Sequence, residues 1–528
     1  MIQRFLSLLF IVPMMAFCST SPQDNQENNN DPDPKDETKP VIVYEGEHEI
    51  TVESAAGSGT LTFTCNTDWT AAGSKSWLTV SPESGVASDT PVTLTYNYTQ
   101  TDKKKKRIAD INITGDRVGL SVTITQAGDL MAGAAEELKS GDEVLATNPL
   151  VEKFLTEVTY KDWPEEDNAS RKTQVFSYYG GFDGVNLTWD NWGKEWPDGD
   201  IPCQYSIRWK EEDLESGVMT LHMEDELGWE GVQEIEAGSI YVNIKNLVPN
   251  DHYTYSVTAA SGKVLAEGNF TTTGHLHQVY FEGDPQKPNV KGGGGRNARD
   301  FGGWQTLDGK TVKYRKVYRG GRLNEKWTPY PLNATGEKEV LFEGLGAELD
   351  LRGNSDVIFE PAVAGLDHCA PVIEEGGKTM LTSDAAKTKE CFEFVVNSVR
   401  NNKPVYFHCS LGRDRTGTLA VVFLGLLGVP EHDISKEYEC SYFAPLGYSV
   451  SSSETASAYD NDKQCWIFQN NRTKWVYSEI APYFWDLAGA NGTFADGVEK
   501  YLLTVAQVPQ AEIDEFRELM LVDAPAAN

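Results

Sequence analysis

The sequence predicts a multidomain chain in which two N-terminal β-sandwiches precede an α/β domain. Three observations carry this. Up to about residue 283, apolar and polar residues alternate with period two between frequent turn signals. From about residue 284, short apolar strands alternate with stretches of helical period. The 528 residues suffice for about three to four domains.

The composition (40% apolar, 24% charged, 11% aromatic) is that of a chain that can bury cores. A formal net charge of -33 argues against a general nucleic-acid binder, which would carry a basic footprint. Any anionic substrate must meet a local positive site set in a negative surface. The N-terminus, "MIQRFLSLLFIVPMMAFCS", places Arg4 before an apolar run too short to span a bilayer and fitting an export signal. Cys18 follows it and resembles the lipid-attachment cysteine of a bacterial lipoprotein box, although Met15 and Phe17 depart from the usual residues. The two readings are a lipoprotein held at the outer membrane or cell surface and plain export. Residues 19–40 are nearly devoid of apolar side chains and read as a disordered tether.

Residues 41–128 alternate as short strands, with turns at "AAGSG", "SPESG" and "TGDRVG". The string "CNTDWTA…SWLTVSPESG", then "RIADINIT" and "VTITQAG", resembles BACON domains, immunoglobulin-like sandwiches common in surface proteins of gut Bacteroidetes. The resemblance implies a glycan or mucin ligand. Trp69 and Trp77 could stack on sugar, against the plainer reading of buried sandwich tryptophans. "KKKKR" (103–107) reads as an exposed loop. Residues 129–169 read as a connector with a short helix between modules, capped by Asn148 with Pro149 in its first turn. Residues 170–283 again read as strands, and "LVPNDHYTYSVTA" resembles the end of a fibronectin type III domain. It reads as a spacer or partner surface; His275 and His277 lack a ligand set, and "EWPDG" (195–199) is taken as coincidence.

Residues 284–528 form the expected α/β domain: "VKGGGG" is no phosphate-binding Walker loop, since no GK[ST] follows. "LGAELDLRG" reads as a buried strand, "TKECFEFVVNSVRNN" as an amphipathic helix and "KPVYFHC" as another strand. Eight cysteines, at 18, 65, 203, 369, 391, 409, 440 and 465, show no CxxC spacing, so neither a zinc site nor a disulfide framework is indicated. A disulfide among 369, 391, 440 and 465 stays open.

The informative stretch is "VYFHCSLGRDRTGTLAVVFLGLLG" (405–428). A strand ends at His408 and Cys409, Gly412 permits a tight loop, and an apolar helix begins near Thr416. A loop between strand and helix turns its amides inward, and with the helix N-terminus makes an anion site. Arg415 can grip two phosphate oxygens side by side. The same groups stabilise a thiolate at Cys409, and a thiolate facing a phosphoryl group is a nucleophile. Thr416 would donate to the sulfur, and His408 would orient the strand end. A structural cysteine is the plain alternative, but the His-Cys-x5-Arg-Thr combination favours chemistry.

"HCSLGRDRTG" resembles the signature of cysteine-dependent tyrosine phosphatases, in the bacterial branch carrying HCxxGKDRTG. "NARDFGGWQTLDGKTVKYRKVYRGGRL", "LDLRG" and the closing "GTFADGVEKYLLTVAQVPQAEIDEFRELML" resemble that branch's other landmarks, so the likeness spans about residues 290 to 522. It implies Cys409 as nucleophile, Arg415 as phosphate clamp, and His408, Ser410, Leu411, Gly412, Arg413 and Thr416 as the loop and its support. It implies Asp414 as general acid, with Asp384 as runner-up, and a pocket that includes Arg299, Asp300 and Arg352. Arg413 stands where Lys is usual; Gly320 and Gly321 stand where Ser or Thr is common, which removes a supporting hydrogen bond. Neither metal nor cofactor is implied. Phosphotyrosine protein is the expected substrate. Phosphoinositides or inositol phosphates are the alternative, with Arg296, Arg299, Arg319, Arg322 and Arg352 as extra cations. A non-catalytic glycan- and phosphate-binding surface protein is the reading of another class.

Overall fold

The computed structural model describes residues 39–160, 162, 199–283, 294–324, 332–444, 456–460, 465–468 and 479–523. Cys18, the tether up to residue 38 and "EWPDG" up to Asp198 lie outside them. The chain divides into two compact units, residues 1–129 and 130–528. Among the described residues no helix is long and apolar enough to cross a membrane.

The first unit packs a four-stranded sheet (Ile42–Tyr44, Gly57–Cys65, Ser88–Tyr98, Leu78–Ser81) on a five-stranded one (Glu49–Val52, Val118–Gln126, Arg107–Gly115, Trp69–Gly73, Ser84–Gly85). Leu94, Ile111, Ile113, Val122 and Ile124 alternate inward and fill the core. Trp69 is 3% exposed and meets Phe63 edge to face at 5.0 Å. Trp77 is half-buried, with the Arg107 guanidinium 4.4 Å above its ring. Lys103 to Lys106 are exposed, but Arg107 turns back to Gln126 and the Thr99 carbonyl.

The second sandwich, in the other unit, has a three-stranded and a five-stranded sheet. The expected connector is part of it. Glu136–Glu137 pairs in parallel with Tyr205–Arg208, and Glu143–Leu145 with Val264–Thr273. Strands of two and three residues are too short to show a period, so the sequence reading placed this boundary some forty residues late. Helix α1 (Pro149–Glu157) is capped as expected, Asn148 Oδ1 accepting from the Leu150 amide at 3.0 Å. The helix packs as expected: Val151, Phe154 and Leu155, with Val158 and Tyr160, lie in the same apolar core as the six-stranded sheet of the α/β domain.

That sheet has six strands: β1 (Gln278–Glu282), β2 (Gly294–Asp300), β3 (Val317–Gly320), β4 (Ala347–Asp350), β5 (Asp367–Cys369) and β6 (Val405–His408), in the order β1-β2-β3-β6-β4-β5. β1 was expected at the end of the second sandwich; it pairs antiparallel with β2 instead. β3, β6, β4 and β5 are mutually parallel. β6 is therefore central and every residue in it is buried. Helix α2 (Ala385–Arg400) and helix α3 (Asp414–Leu426) cover the sheet, and α3 is buried from Thr416 to its end. Phe423 of α3 packs between Phe407 of β6, edge to face at 5.7 Å, and Phe516 of the C-terminal helix Gln510–Met520, tilted at 5.4 Å. An all-apolar helix fits where both faces are covered. Cys369, Cys391 and Cys440 are free thiols, and the Cys465 side chain lies outside the described residues.

Candidate active site

β6 delivers His408 and Cys409 to the carboxyl edge of the sheet, and residues 410–413 wrap from there into α3. The wrap needs Gly412 at φ 72°, a left-handed conformation that glycine adopts without strain. A Cβ there would also lie 2.2 Å from the Gly320 carbonyl carbon. Gly320 in turn leaves no room: an added Cβ would sit 1.9 Å from Tyr406 Oη, whose hydroxyl donates to the Gly321 carbonyl at 2.7 Å. Gly320 thus makes room for the Tyr406 hydroxyl, while a Cβ on Gly321 would lie 3.1 Å from the Arg296 carbonyl oxygen, and the Arg322 side chain donates to the Ser410 carbonyl at 2.8 Å, supplying support to the loop.

Cys409 is 2% exposed. Burial pushes its thiol up, but the Arg415 charge and the Thr416 hydroxyl and amide outweigh that, and its pKa is lowered from the usual cysteine value; Asp414 opposes the change. Thr416 Oγ1 is buried and makes no hydrogen bond to another protein oxygen or nitrogen among the described residues. Arg415 Nη1 donates to the Ile373 carbonyl at 3.0 Å, which anchors one arm of the guanidinium. His408 is fully buried; its Nε2 meets Glu348 Oε1 at 2.9 Å and its Nδ1 the Cys409 carbonyl at 3.3 Å. Both ring nitrogens are thus engaged away from the sulfur, which suits an orienting role rather than that of a base.

The two expected acids separate. Asp414 opens α3, takes Arg413 Nε at 3.1 Å and is close enough to Cys409 to act on its charge. Asp384 precedes α2 and pairs with Lys387 at 3.0 Å, with no described contact to the loop. A third carboxylate, Asp356, was not singled out in the sequence. It accepts a hydrogen bond from Ser410 Oγ, and its Oδ2 lies 4.0 Å from Arg415 Nη2. Its position in the turn after "LDLRG" was the available signal.

The basic pocket residues are placed differently from expectation. Arg299 and Arg319, 2% and 0% exposed, share the Glu437 carboxylate, each at 2.6 Å. Arg352 forks onto Asp350 at 2.7 Å, and Arg296 onto Asp200 at 2.6 Å. These four are consumed inside the protein, because a buried charge is tolerated only when paired. Asp300 is not at the loop. It holds the Arg315 amide and His277 Nδ1, whose Nε2 meets the Asn246 carbonyl of the second sandwich at 2.9 Å. His275 pairs with Glu152. Among the described residues the one group with metal-ligand spacing, His222, Glu224 and Glu230, lies on the second sandwich.

Residues 290–522 match the family model described as "Tyrosine phosphatase family", and residues 67–127 match BACON, "Putative binding domain, N-terminal". A curated relative from Cupriavidus necator, "Putative tyrosine-protein phosphatase H16_A0669", is 28% identical over 166 residues. The aligned part is 27% of this chain and 59% of that relative's length. Among solved structures, a Bacteroides ovatus GH5 xyloglucanase with a bound heptasaccharide is 14% identical over 20% of this chain and 27% of its own, with a TM-score of 0.16. The D0-D1 domain of intimin is 9% identical over 44% of this chain and 98% of its own, with a TM-score of 0.15.

Proposed function

We propose that the protein is a phosphomonoesterase of the cysteine-dependent tyrosine-phosphatase type. One observation carries the reading: a buried cysteine ends the central strand beneath an anion-accepting loop, with Arg415 and Thr416 both acting on its sulfur. The Cys409 thiolate attacks phosphorus in line, forming the S–P bond as the P–O bond to the leaving group breaks. Asp414 gives its proton to the departing oxygen. Loop amides and Arg415 hold the three equatorial oxygens. Water then attacks the phosphocysteine, Asp414 takes a proton from it, and phosphate leaves with the thiolate restored, assisted by the Thr416 hydroxyl.

Phosphotyrosine is the preferred substrate over phosphoinositides or inositol phosphates. The support is the internal pairing of Arg296, Arg299, Arg319 and Arg352, which removes four of the five cations a polyphosphate would need. Export with a lipid at Cys18, and glycan binding by the first sandwich, rest on the sequence. The test is phosphate release from p-nitrophenyl phosphate, phosphotyrosine peptides and inositol hexakisphosphate by the full chain and by Cys409→Ser. Turnover that vanishes in the serine variant supports the reading. An inactive wild type with retained phosphate binding would favour a non-catalytic binding protein.

A further inference from the structure

The phosphate loop is gripped from behind. Its three consecutive carbonyls each receive a donor from residues 297–322: Ser410 O from Arg322 Nη1 at 2.8 Å, Leu411 O from Asn297 Nδ2 at 3.0 Å, Gly412 O from Arg319 Nη2 at 2.6 Å. A trans peptide is planar, with N–H and C=O pointing in opposite directions. Holding these carbonyls outward therefore turns the amides of residues 411, 412 and 413 toward the pocket. Among the described residues the Leu411 and Gly412 amides have no protein acceptor, as an anion cradle requires.

Asn297 is the most constrained of the three donors. It is 3% exposed and has φ 56°, in the left-handed region that asparagine, aspartate and glycine tolerate best. Its Oδ1 accepts from Arg299 Nη1 at 2.6 Å, and Arg299 is itself held by Glu437. A guanidinium only donates, so the amide oxygen must face it and the NH2 must face the Leu411 carbonyl. The orientation of the side chain is thereby settled by chemistry.

We propose that Asn297 is a positioning residue that aims the phosphate-loop amides by holding the Leu411 carbonyl outward, with Arg299 and Glu437 setting its side-chain amide. This rests on the phosphatase reading for its effect on turnover, but not for its effect on the loop.

The discriminating variant is Asn297→Asp. It keeps size, left-handed tolerance and the acceptor for Arg299, replaces the donor with an oxygen that repels the Leu411 carbonyl, and adds a negative charge, for which the neutral Asn297→Gly is the control. Asn297→Gly keeps the backbone and removes both contacts. Three quantities are read on the full chain: kcat and KM for p-nitrophenyl phosphate, inhibition by vanadate, and the pH midpoint of Cys409 alkylation by iodoacetate. Both variants should retain cooperative thermal unfolding. The kcat should fall about 10- to 100-fold, below the full loss of an oxyanion donor, with KM changing less. Vanadate inhibition should weaken, and the alkylation midpoint should rise. An unchanged midpoint and vanadate inhibition would overturn the proposal, as would loss of the fold in both variants, which would make Asn297 merely structural. If the wild type releases no phosphate, the phosphatase reading fails, while the alkylation midpoint still decides whether Asn297 aims the loop.

Discussion

Consider a chain shortened to residues 284–528, the boundary at which the texture of the sequence changes. It loses α1 and with it Val151, Phe154, Leu155, Val158 and Tyr160 from the catalytic core. At roughly 1.5–3 kcal/mol for each large side chain buried, and discounting Val158 and Tyr160 as lying beyond the helix, about 5–9 kcal/mol of core burial disappears. It also loses β1, which leaves β2 as an unpaired edge. Finally it strands Arg315, whose guanidinium bonds Asp225 at 3.1 Å and stacks 4.3 Å over Trp229, both in the second sandwich, leaving Glu343 as its remaining ion-pair partner. Against a total stability of about 5–15 kcal/mol for a domain, these losses are enough to unfold it. Residues 130–528 should express as a soluble chain with a single cooperative thermal transition and p-nitrophenyl phosphatase activity, whereas 284–528 should aggregate or lack a transition. A shortened 284–528 chain that unfolds cooperatively with undiminished kcat would refute the reasoning that the second sandwich and α1 complete the catalytic core.

Three other outcomes follow from named groups. Asp414→Asn should lower turnover on alkyl phosphates far more than on p-nitrophenyl phosphate, whose leaving group needs little protonation; equal losses would remove Asp414 as the acid. Glu437→Gln leaves Arg299 and Arg319 without their shared carboxylate, and should destabilise by about 3–5 kcal/mol, the range for breaking a buried pair, read as a lowered denaturant midpoint at unchanged slope. Burial pushes the Asp251 carboxyl up to about 6, against the opposing pull of the His252 amide. A folded pKa above the unfolded one means the native state holds the extra proton, so the stabilising contribution is present at low pH and is lost as pH rises from about 4 to about 6. Asp251→Asn should therefore raise the thermal midpoint at pH 7 more than at pH 4, and an equal effect at both would contradict the shift.

The legible part of the site was local. Cys409, Arg415 and Thr416 sit within eight residues, and their spacing needs only a strand, a tight turn at Gly412 and a helix to bring them together. Trp69 as a core residue and Asn148 as a helix cap were legible for the same reason, since a period or a cap is written in neighbouring residues. Glu437 was not. In "EHDISKEYE" it reads as one charge on a solvated helix, yet helix Glu431–Glu439 buries it at 1% exposure. Asp356 was missed for a related reason: a carboxylate in a turn gains meaning only when Ser410, 54 residues on, is folded against it.

The arginines mark the division most clearly. The sequence by itself determined that Cys409, a tight loop and a helix terminus come together, because they are contiguous and their backbone geometry follows from residue type. Whether Arg299, Arg319 and Arg352 face substrate or serve the scaffold was decided by tertiary structure alone. Glu437 lies 138 residues from Arg299 and 118 from Arg319, and Arg319 Nη2 donates to the loop carbonyl of Gly412. A guanidinium removed from water must find acceptors, and which ones it finds depends on the segments that the fold places around it.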